Sequence, residues 1–289
     1  GAQARWDSAR DQTEATDVDS RNVDEESSLP ATSGDRPVLV ELHALATGVS
    51  VRLDVRVNGP QCARVADQRA HDYVLREVAA VQHYVGGIEI ANFAKHEFRG
   101  VGARAYLDHM LAGVVPQAGR LTLTPMLTPK GKLYGDLTVA CLADDHFMLF
   151  GSGAMQDAHR RWFEKQCPDD LSYANVSDEW HGIALSGPKS RALLADLMRD
   201  DIASMKFRDL WQTYVAGVPV ILNRISFSGE LGYEIYCRPP YLIRLAEAIE
   251  TAGANHGYRW YGARALMSMR LEKGWGAWGL EFRPDFDVH

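Results

Sequence analysis

The sequence lacks the residue groupings that mark metal, disulfide and membrane proteins. Its cysteines lie far apart with no Cys-x-x-Cys spacing, which argues against a zinc ribbon or a disulfide framework: Cys62, Cys141, Cys167 and Cys237. The ten histidines form no His-x-x-x-His or Glu-x-x-His pattern, so we predict no metal site. No apolar run approaches the roughly 20 residues of a membrane-spanning helix. Unpaired cysteines favour a reducing compartment, and we expect the protein to be cytoplasmic.

Nucleic acids and dinucleotides are also poorly supported as ligands. The chain has 31 basic and 38 acidic residues, for a net charge of −7, and no basic stripe. No Gly-x-Gly-x-x-Gly follows a predicted strand, so we predict no dinucleotide site. Residues 1–36 hold four arginines and nine acids, and therefore carry −5 of the −7. We predict that this polar stretch, residues 1–37, is a disordered acidic tail.

The rest of the 289-residue chain alternates between strand-like and helix-like patterns. Residues 38–71 contain one clear strand, 49–57, in which apolar and polar residues alternate up to the turn signal Asn58-Gly59. We predict a strand region at 88–98 and further strands at 121–126, 134–142, 146–151, 181–186, 218–227 and 232–237. Helices are predicted at 67–84, 154–166, 189–198, 241–252 and 262–272. Without regular βαβ alternation, this order favours an α+β fold.

One local pattern occurs twice. Residues 98–107 and 185–194 each contain a strand end, a glycine turn and the start of a helix with leucines at helical spacing. On the residues alone, the coincidence of two common turns is the favoured interpretation. The alternative is a duplicated architecture in which strand–turn–helix units pack on antiparallel sheets.

Two carboxylates lie beside glycines in strand-like runs. Asp136 follows Gly135 in Leu127–Val139, and Glu234 lies in the segment Gly229-Glu230-Leu231-Gly232-Tyr233-Glu234-Ile235-Tyr236. A carboxylate at the junction of a turn and a strand can face a pocket, where it binds an amine or stabilises a developing cation. On local sequence alone an ordinary turn aspartate is the favoured interpretation of Asp136, and Glu234 could be a solvated strand-end charge.

Four motifs in chain order carry a family resemblance. They are Val85–Lys95, Gly119–Val139 with Asp136, Arg224–Glu234, and Arg264–Gly274. Over roughly residues 72–286 the chain resembles the folate-binding domain of the glycine-cleavage T-protein (aminomethyltransferase) family. It is more closely similar to the C-terminal part of dimethylglycine and sarcosine dehydrogenases. The resemblance implies a T-protein-like folate-binding domain over 72–289, with a mitochondrial matrix location if the source is eukaryotic.

The resemblance also implies roles for particular residues. Asp136 matches an aspartate beside the reactive edge of tetrahydrofolate, and is the expected catalytic residue. Glu234 matches a glutamate that holds the pterin through a charge-assisted pair. Thr138, Tyr233 and Arg270 are the other expected cofactor-binding residues, with Arg270 near the middle or tail of the folate. Phe227 stands where many dehydrogenase-type relatives have a tyrosine.

The implied function is tetrahydrofolate-dependent one-carbon transfer. An iminium derived from an N-methyl amine of the dimethylglycine or sarcosine type would give 5,10-methylenetetrahydrofolate. FAD would belong to a flavin dehydrogenase domain or partner subunit outside this chain. The alternatives are a folate-dependent O- or S-demethylase on the same fold and a non-catalytic fragment that binds folate or a partner.

The end of the sequence predicts a truncated relative. Residues 262–289 would normally lead into a C-terminal barrel, and this stretch is rich in large apolar groups: Trp275, Trp278, Phe282 and Phe286. Without a packing partner they would form an exposed apolar patch. We therefore expect a marginally stable chain in which residues 274–289 are mobile.

Overall fold

The computed structural model describes residues 37–43, 50–56, 59–276 and 281, with side chains from residue 70 onward. The predicted disorder of residues 1–36 and the predicted mobility of residues 277–280 and 282–289 lie outside this range. Near the N-terminus, β1 (Pro37–His43) pairs antiparallel with β2 (Ser50–Arg56) as a unit by itself. The predicted strand at 49–57 is thus confirmed as β2. Its partner β1 escaped prediction because Val38-Leu39-Val40 breaks the alternation of apolar and polar residues.

The larger unit begins at residue 60, inside the helix α1 (Gly59–His83), and contains two sheets. The first sheet has six strands in the order β10-β11-β12-β9-β3-β13, and only β13 and β3 pair in parallel. Its strands are β3 (Val85–Glu89), β9 (His181–Ser186), β10 (Leu210–Val215), β11 (Val218–Asn223), β12 (Gly232–Cys237) and β13 (Tyr258–Trp260).

The second sheet has five antiparallel strands in the order β5-β6-β7-β4-β8. They are β4 (Ala94–Arg99), β5 (Arg120–Leu127), β6 (Leu133–Ala143), β7 (His146–Gly151) and β8 (Ser172–Asn175). The remaining helices are α2 (Ala103–Met110), α3 (Gln156–Gln166), α4 (Ser190–Leu197), α5 (Leu242–Gly253) and α6 (Ala263–Glu272). The described residues of the larger unit form two open sheets and no closed barrel. The expected α+β class is confirmed.

The predicted duplication is present, with one copy in each sheet. In the five-stranded sheet, β4 leads through Gly100 into α2; in the six-stranded sheet, β9 leads through Gly187 into α4. The two glycines have φ of 135° and 124°, a region that residues with a side chain rarely adopt. Each sharp turn from strand to helix therefore depends on its glycine.

Several predicted boundaries differ from the structure. The predicted strand region 88–98 is two strands, β3 and β4, which belong to different sheets. The first large helix begins at Gly59 rather than 67. Strand β11 ends at Asn223 rather than 227, because the next amide, that of Arg224, bonds the Asp209 carbonyl outside the ladder. The strands β8, β10 and β13 were not predicted, since two of them have only four and three residues and β10 alternates weakly.

Apolar clusters define the layers. The helices α4 and α5 cover one face of the six-stranded sheet, and α2 and α3 cover one face of the five-stranded sheet. The other faces of the two sheets meet in a third cluster, which we call the intersheet cluster. Its buried members include Ile90, Leu121, Ala140, Leu142, Met148, Phe150, Leu210, Ile221 and Tyr236. A fourth cluster joins α1, Tyr261 and α6.

Candidate functional site

Two rows of side chains, one from each sheet, face the intersheet cluster. Directly paired residues on neighbouring strands share a face of the sheet. In the five-stranded sheet the row is Lys95, Phe150, Thr138 and Leu123. In the six-stranded sheet it is Ile88, Ala184, Glu234 and Asn223. Because Phe150, Ile88 and Ala184 all contribute to the intersheet cluster, both rows face it.

An aromatic pair joins the two rows. The Phe150 ring stacks on the Tyr236 ring with centroids 4.4 Å apart. The Tyr236 hydroxyl donates a hydrogen bond of 2.9 Å to Oε2 of Glu234, which lies two residues away on the same face of β12. On the other sheet, Thr138 pairs with Phe150 across the strands. The predicted residues Thr138 and Glu234 thus lie on two sides of one aromatic stack.

Asp136 lies on β6 two residues before Thr138, and therefore on the same face. It is inside the strand rather than at a junction of turn and strand. Its carboxyl is half-buried, and this burial raises its pKa to about 6. At neutral pH the group is ionised, yet close to the point at which it gains a proton.

A contact behind the strand fixes the backbone before Asp136. Nε2 of His159, on α3, lies 3.0 Å from the carbonyl oxygen of Tyr134 and donates to it. A Cβ on Gly135 would lie only 2.7 Å from the same His159 nitrogen. The absence of a side chain at Gly135 therefore lets α3 hold β6 at the residue preceding the candidate catalytic carboxylate.

Glu234 and Lys95 form the charged part of the site. Burial raises the pKa of Glu234 to about 7, while the Tyr236 hydroxyl and the Lys95 charge act in the opposite direction. Lys95 is 0% exposed, and its Nζ donates to the carbonyls of Ala91 and Phe93 at 2.9 and 2.8 Å. Burial lowers its pKa to about 8, so the ammonium is still charged at neutral pH. A buried cation thus lies within electrostatic reach of Glu234.

The structure separates Tyr233 from these groups. As the neighbour of Glu234 on a strand, it faces the opposite side of the sheet, where it is 0% exposed among the residues under α4 and α5. Its hydroxyl accepts a 2.9 Å hydrogen bond from Nε of Arg191. Tyr233 therefore supports β12 from behind and does not line the intersheet surface.

Arg270 lies on α6 and is 2% exposed. Its Nη1 donates to the Trp275 carbonyl at 3.0 Å and to the Glu281 carboxylate at 2.7 Å. The guanidinium is thus held by groups near the end of the chain, in the cluster beside α1. No described contact joins Arg270 to Asp136, Thr138 or Glu234.

A chain of hydroxyls extends the polar surface beside Glu234. The Tyr261 hydroxyl donates to Ser186 Oγ at 3.2 Å. Ser186 Oγ lies 3.4 Å from Ser226 Oγ, and Ser226 Oγ lies 2.8 Å from Ser228 Oγ. Ser186 pairs with Gly232, two residues before Glu234 and on the same face. These hydroxyls lie next to Phe227, which packs against the fourth cluster and offers no hydroxyl itself.

Sequence reasoning missed Lys95, Tyr236 and Asn223 as members of this site. A signal existed for Tyr236, because period-2 alternation from Glu234 places it on the same face. Lys95 and Asn223 gave no such signal, since a lysine or asparagine in a strand usually faces water. Among the described residues, no group of three His, Cys, Asp or Glu could hold a metal ion, and no helix is long and apolar enough to cross a membrane.

Comparisons with known proteins agree with this architecture. The family model described as the GCVT N-terminal domain matches residues 47–289, a longer stretch than the resemblance found in the sequence. Human dimethylglycine dehydrogenase is 33% identical over 214 residues, a match that covers 72% of this chain and 25% of that protein. The aminomethyltransferase of Halothermothrix orenii is 27% identical over 208 residues, covering 71% of this chain and 58% of that protein.

A solved structure shows the same fold. The glycine cleavage system aminomethyltransferase T from Bartonella henselae superimposes with a TM-score of 0.66 at 23% identity, covering 73% of this chain and 57% of that one. The chain thus spans between a quarter and about three fifths of the length of these relatives. The resemblance found in the sequence is confirmed, and the chain belongs to the GCVT N-terminal domain family.

Proposed function

We propose that this domain binds tetrahydrofolate at the intersheet surface and takes part in transferring a one-carbon unit to it. The observation that carries the proposal is that two carboxylates lie on the sheet faces that meet at one aromatic pair. Asp136 extends from the five-stranded sheet and Glu234 from the six-stranded sheet, and Phe150 stacks on Tyr236 where the two sheets meet. The carboxylates of Asp136 and Glu234 are half-buried, so they can meet the polar edges of a flat heterocycle beside this buried pair.

The state of Glu234 fits a ligand with N–H donors. Its Oε2 accepts from Tyr236, and burial has raised its pKa to about 7. Hydrogen bonds from the amino-pyrimidinone edge of a pterin would stabilise the charged form and lower this pKa. The buried Lys95 cation favours the same charged form. Glu234 would therefore hold the pterin edge as a carboxylate.

Tetrahydrofolate, when bound, would supply a nucleophilic amine nitrogen that accepts the one-carbon unit. Asp136 would then stabilise positive charge near that nitrogen and take or return its proton. A general acid–base group acts best when its pKa lies near the working pH, and burial brings Asp136 to about 6. Thr138, on the same face, would orient the ligand as a polar neighbour. The β6 strand beneath both is held by His159.

The one-carbon donor we propose is a methylated amine of the dimethylglycine or sarcosine type. The match to dimethylglycine dehydrogenase supports this choice over other methyl donors. Oxidation of the amine would require a flavin dehydrogenase domain or subunit, which would hold the FAD. Arg270 would pair with a folate carboxylate only after exchanging its bond to Glu281 for one to the ligand.

Titration of the protein with tetrahydrofolate tests the proposal. Glu234→Gln keeps the shape of the side chain but loses the charge-assisted pair, which should weaken binding by about 1.5–3 kcal/mol. Glu230→Gln is the matched control, because Glu230 lies in the same segment but pairs with Lys273 at 3.3 Å. Equal affinity of the wild type and Glu234→Gln would remove Glu234 from the site. No binding by the wild type would overturn the function.

A further inference from the structure

Asn223, the last residue of β11, carries a buried amide without a partner. The side chain is 0% exposed, and neither Nδ2 nor Oδ1 makes a hydrogen bond among the described residues. Burying an unpaired amide is unfavourable, and native proteins seldom keep one. Such a group calls for an explanation outside the packing of the core.

The position of Asn223 supplies that explanation. It pairs directly with Glu234 across β11 and β12, and such pairs have Cβ atoms about 4.5–5.5 Å apart. Ile221 and Tyr236, each two residues away on its strand, form another direct pair on the same face. Both are buried in the intersheet cluster, so Asn223 and Glu234 also face that cluster. The unpaired amide and the Glu234 carboxylate therefore stand side by side on the same surface.

We propose that Asn223 is a specificity-determining residue that selects heterocycles with a lactam edge. In a lactam, an N–H donor and a C=O acceptor are adjacent. Glu234 accepts from the N–H, and the neighbouring Asn223 Nδ2 donates to the carbonyl oxygen. This assignment rests on the proposed function. It adds recognition of the substituent at ring position 4, where a 4-oxo pterin differs from a 4-amino analogue.

Asn223→Leu separates a ligand-binding role from a structural one. Leucine has nearly the same size and removes the unpaired polar group, so the ligand-free protein should keep its Tm or gain a few degrees. The affinity for tetrahydrofolate should fall at least tenfold, because the carbonyl oxygen loses its donor. The exposed residue Asn255 provides the control, since Asn255→Leu should leave both the Tm and the affinity unchanged.

Asn223→Asp tests the chemistry directly. A carboxylate at this position accepts from a 4-amino group and repels a 4-oxo group. The wild type should prefer tetrahydrofolate to 4-amino-4-deoxytetrahydrofolate, and Asn223→Asp should reverse or abolish that preference. Both ligands are titrated into both proteins by calorimetry, with Tm measured in parallel.

The possible outcomes are distinguishable. Wild-type protein that does not bind tetrahydrofolate overturns the proposed function, and the Asn223 assignment with it. Wild-type binding together with unchanged affinity in Asn223→Leu overturns the assignment alone. A Tm loss of several degrees in Asn223→Leu also overturns it, because the amide would then serve the fold. Weaker binding at an undiminished Tm, with the altered preference in Asn223→Asp, supports it.

Discussion

Phe150 on the five-stranded sheet stacks on Tyr236 on the six-stranded sheet, with an angle of 26° between the ring planes. This contact joins the two sheets at the point where their polar rows meet. On one side, Phe150 pairs across the strands with both Lys95 and Thr138. On the other, Tyr236 holds Glu234 by a hydrogen bond. The stack therefore couples the packing of the sheets to the geometry of the proposed site.

Replacing Phe150 by alanine should destabilise the protein strongly. The ring is 5% exposed, and truncating a buried phenylalanine typically costs about 3–5 kcal/mol. Urea unfolding measures the change. Tyr214→Ala is the control: this tyrosine is 63% exposed, so its loss should cost well under 1 kcal/mol. Similar losses in the two variants would show that the stack contributes nothing special.

Gly135→Ala should disturb the site from behind the strand. The new Cβ would lie 2.7 Å from His159, so either α3 or β6 must move, at a cost of about 1–3 kcal/mol. Gly102→Ala offers a matched control, because a Cβ there meets nothing within 4 Å. Denaturant unfolding and ligand titration should show lower stability and weaker binding for Gly135→Ala, and no change for Gly102→Ala. An unchanged Gly135→Ala variant would contradict the role given to His159.

The pH dependence of stability has a defined sign. The folded-state pKa values of Asp136 and Glu234, about 6 and 7, lie above the unfolded values of 3.8 and 4.5. Between those limits the folded protein binds more protons than the unfolded chain. The contribution of both groups is therefore fully present below about pH 4 and is lost as the pH rises to 7.

Asp136→Asn should abolish the decrease in the free energy of unfolding that is complete near pH 6. Glu234→Gln should abolish the decrease that is complete near pH 7. The measurement is the free energy of unfolding at several pH values between 4 and 8. If the wild type and both variants gave curves of the same shape, folding would raise the pKa of neither carboxyl group.

Asp136→Asn should also separate chemistry from binding. If Asp136 lies near the reacting nitrogen, its replacement should change tetrahydrofolate affinity only a few-fold while one-carbon transfer falls roughly 10²-fold or more. Transfer is followed with a dimethylglycine-oxidising flavoenzyme supplying the one-carbon unit. Full turnover in the variant would remove Asp136 from the mechanism.

The sequence predicted more of the fold than of the site. Period-2 alternation located β2, and the glycine turns at Gly100 and Gly187 located both strand–turn–helix units. The stacking of Phe150 on Tyr236 depends on a contact between segments 86 residues apart, which no local pattern contains. The sequence therefore could not predict that the two rows of side chains face each other.

The face of the strand on which a motif residue lies decides whether it can line the site. The family resemblance implies that Tyr233, next to Glu234, binds the cofactor. Neighbours on a strand point to opposite faces, and the structure places Tyr233 behind the sheet. Lys95 illustrates the reverse problem. A lysine in a strand normally faces water, yet here two backbone carbonyls hold its ammonium inside the protein.

The most direct test of the account is proton release on tetrahydrofolate binding. Calorimetric titration at pH 6.5, in two buffers that differ in ionisation enthalpy, measures the protons released per ligand bound. Glu234 is mostly protonated at this pH because its pKa is about 7, and the ligand's N–H donors should ionise it. We expect the wild type to release most of one proton, Asp136→Asn to behave similarly, and Glu234→Gln to release almost none. Equal release by the wild type and Glu234→Gln, or binding without any release, would contradict the proposed pairing of Glu234 with the ligand.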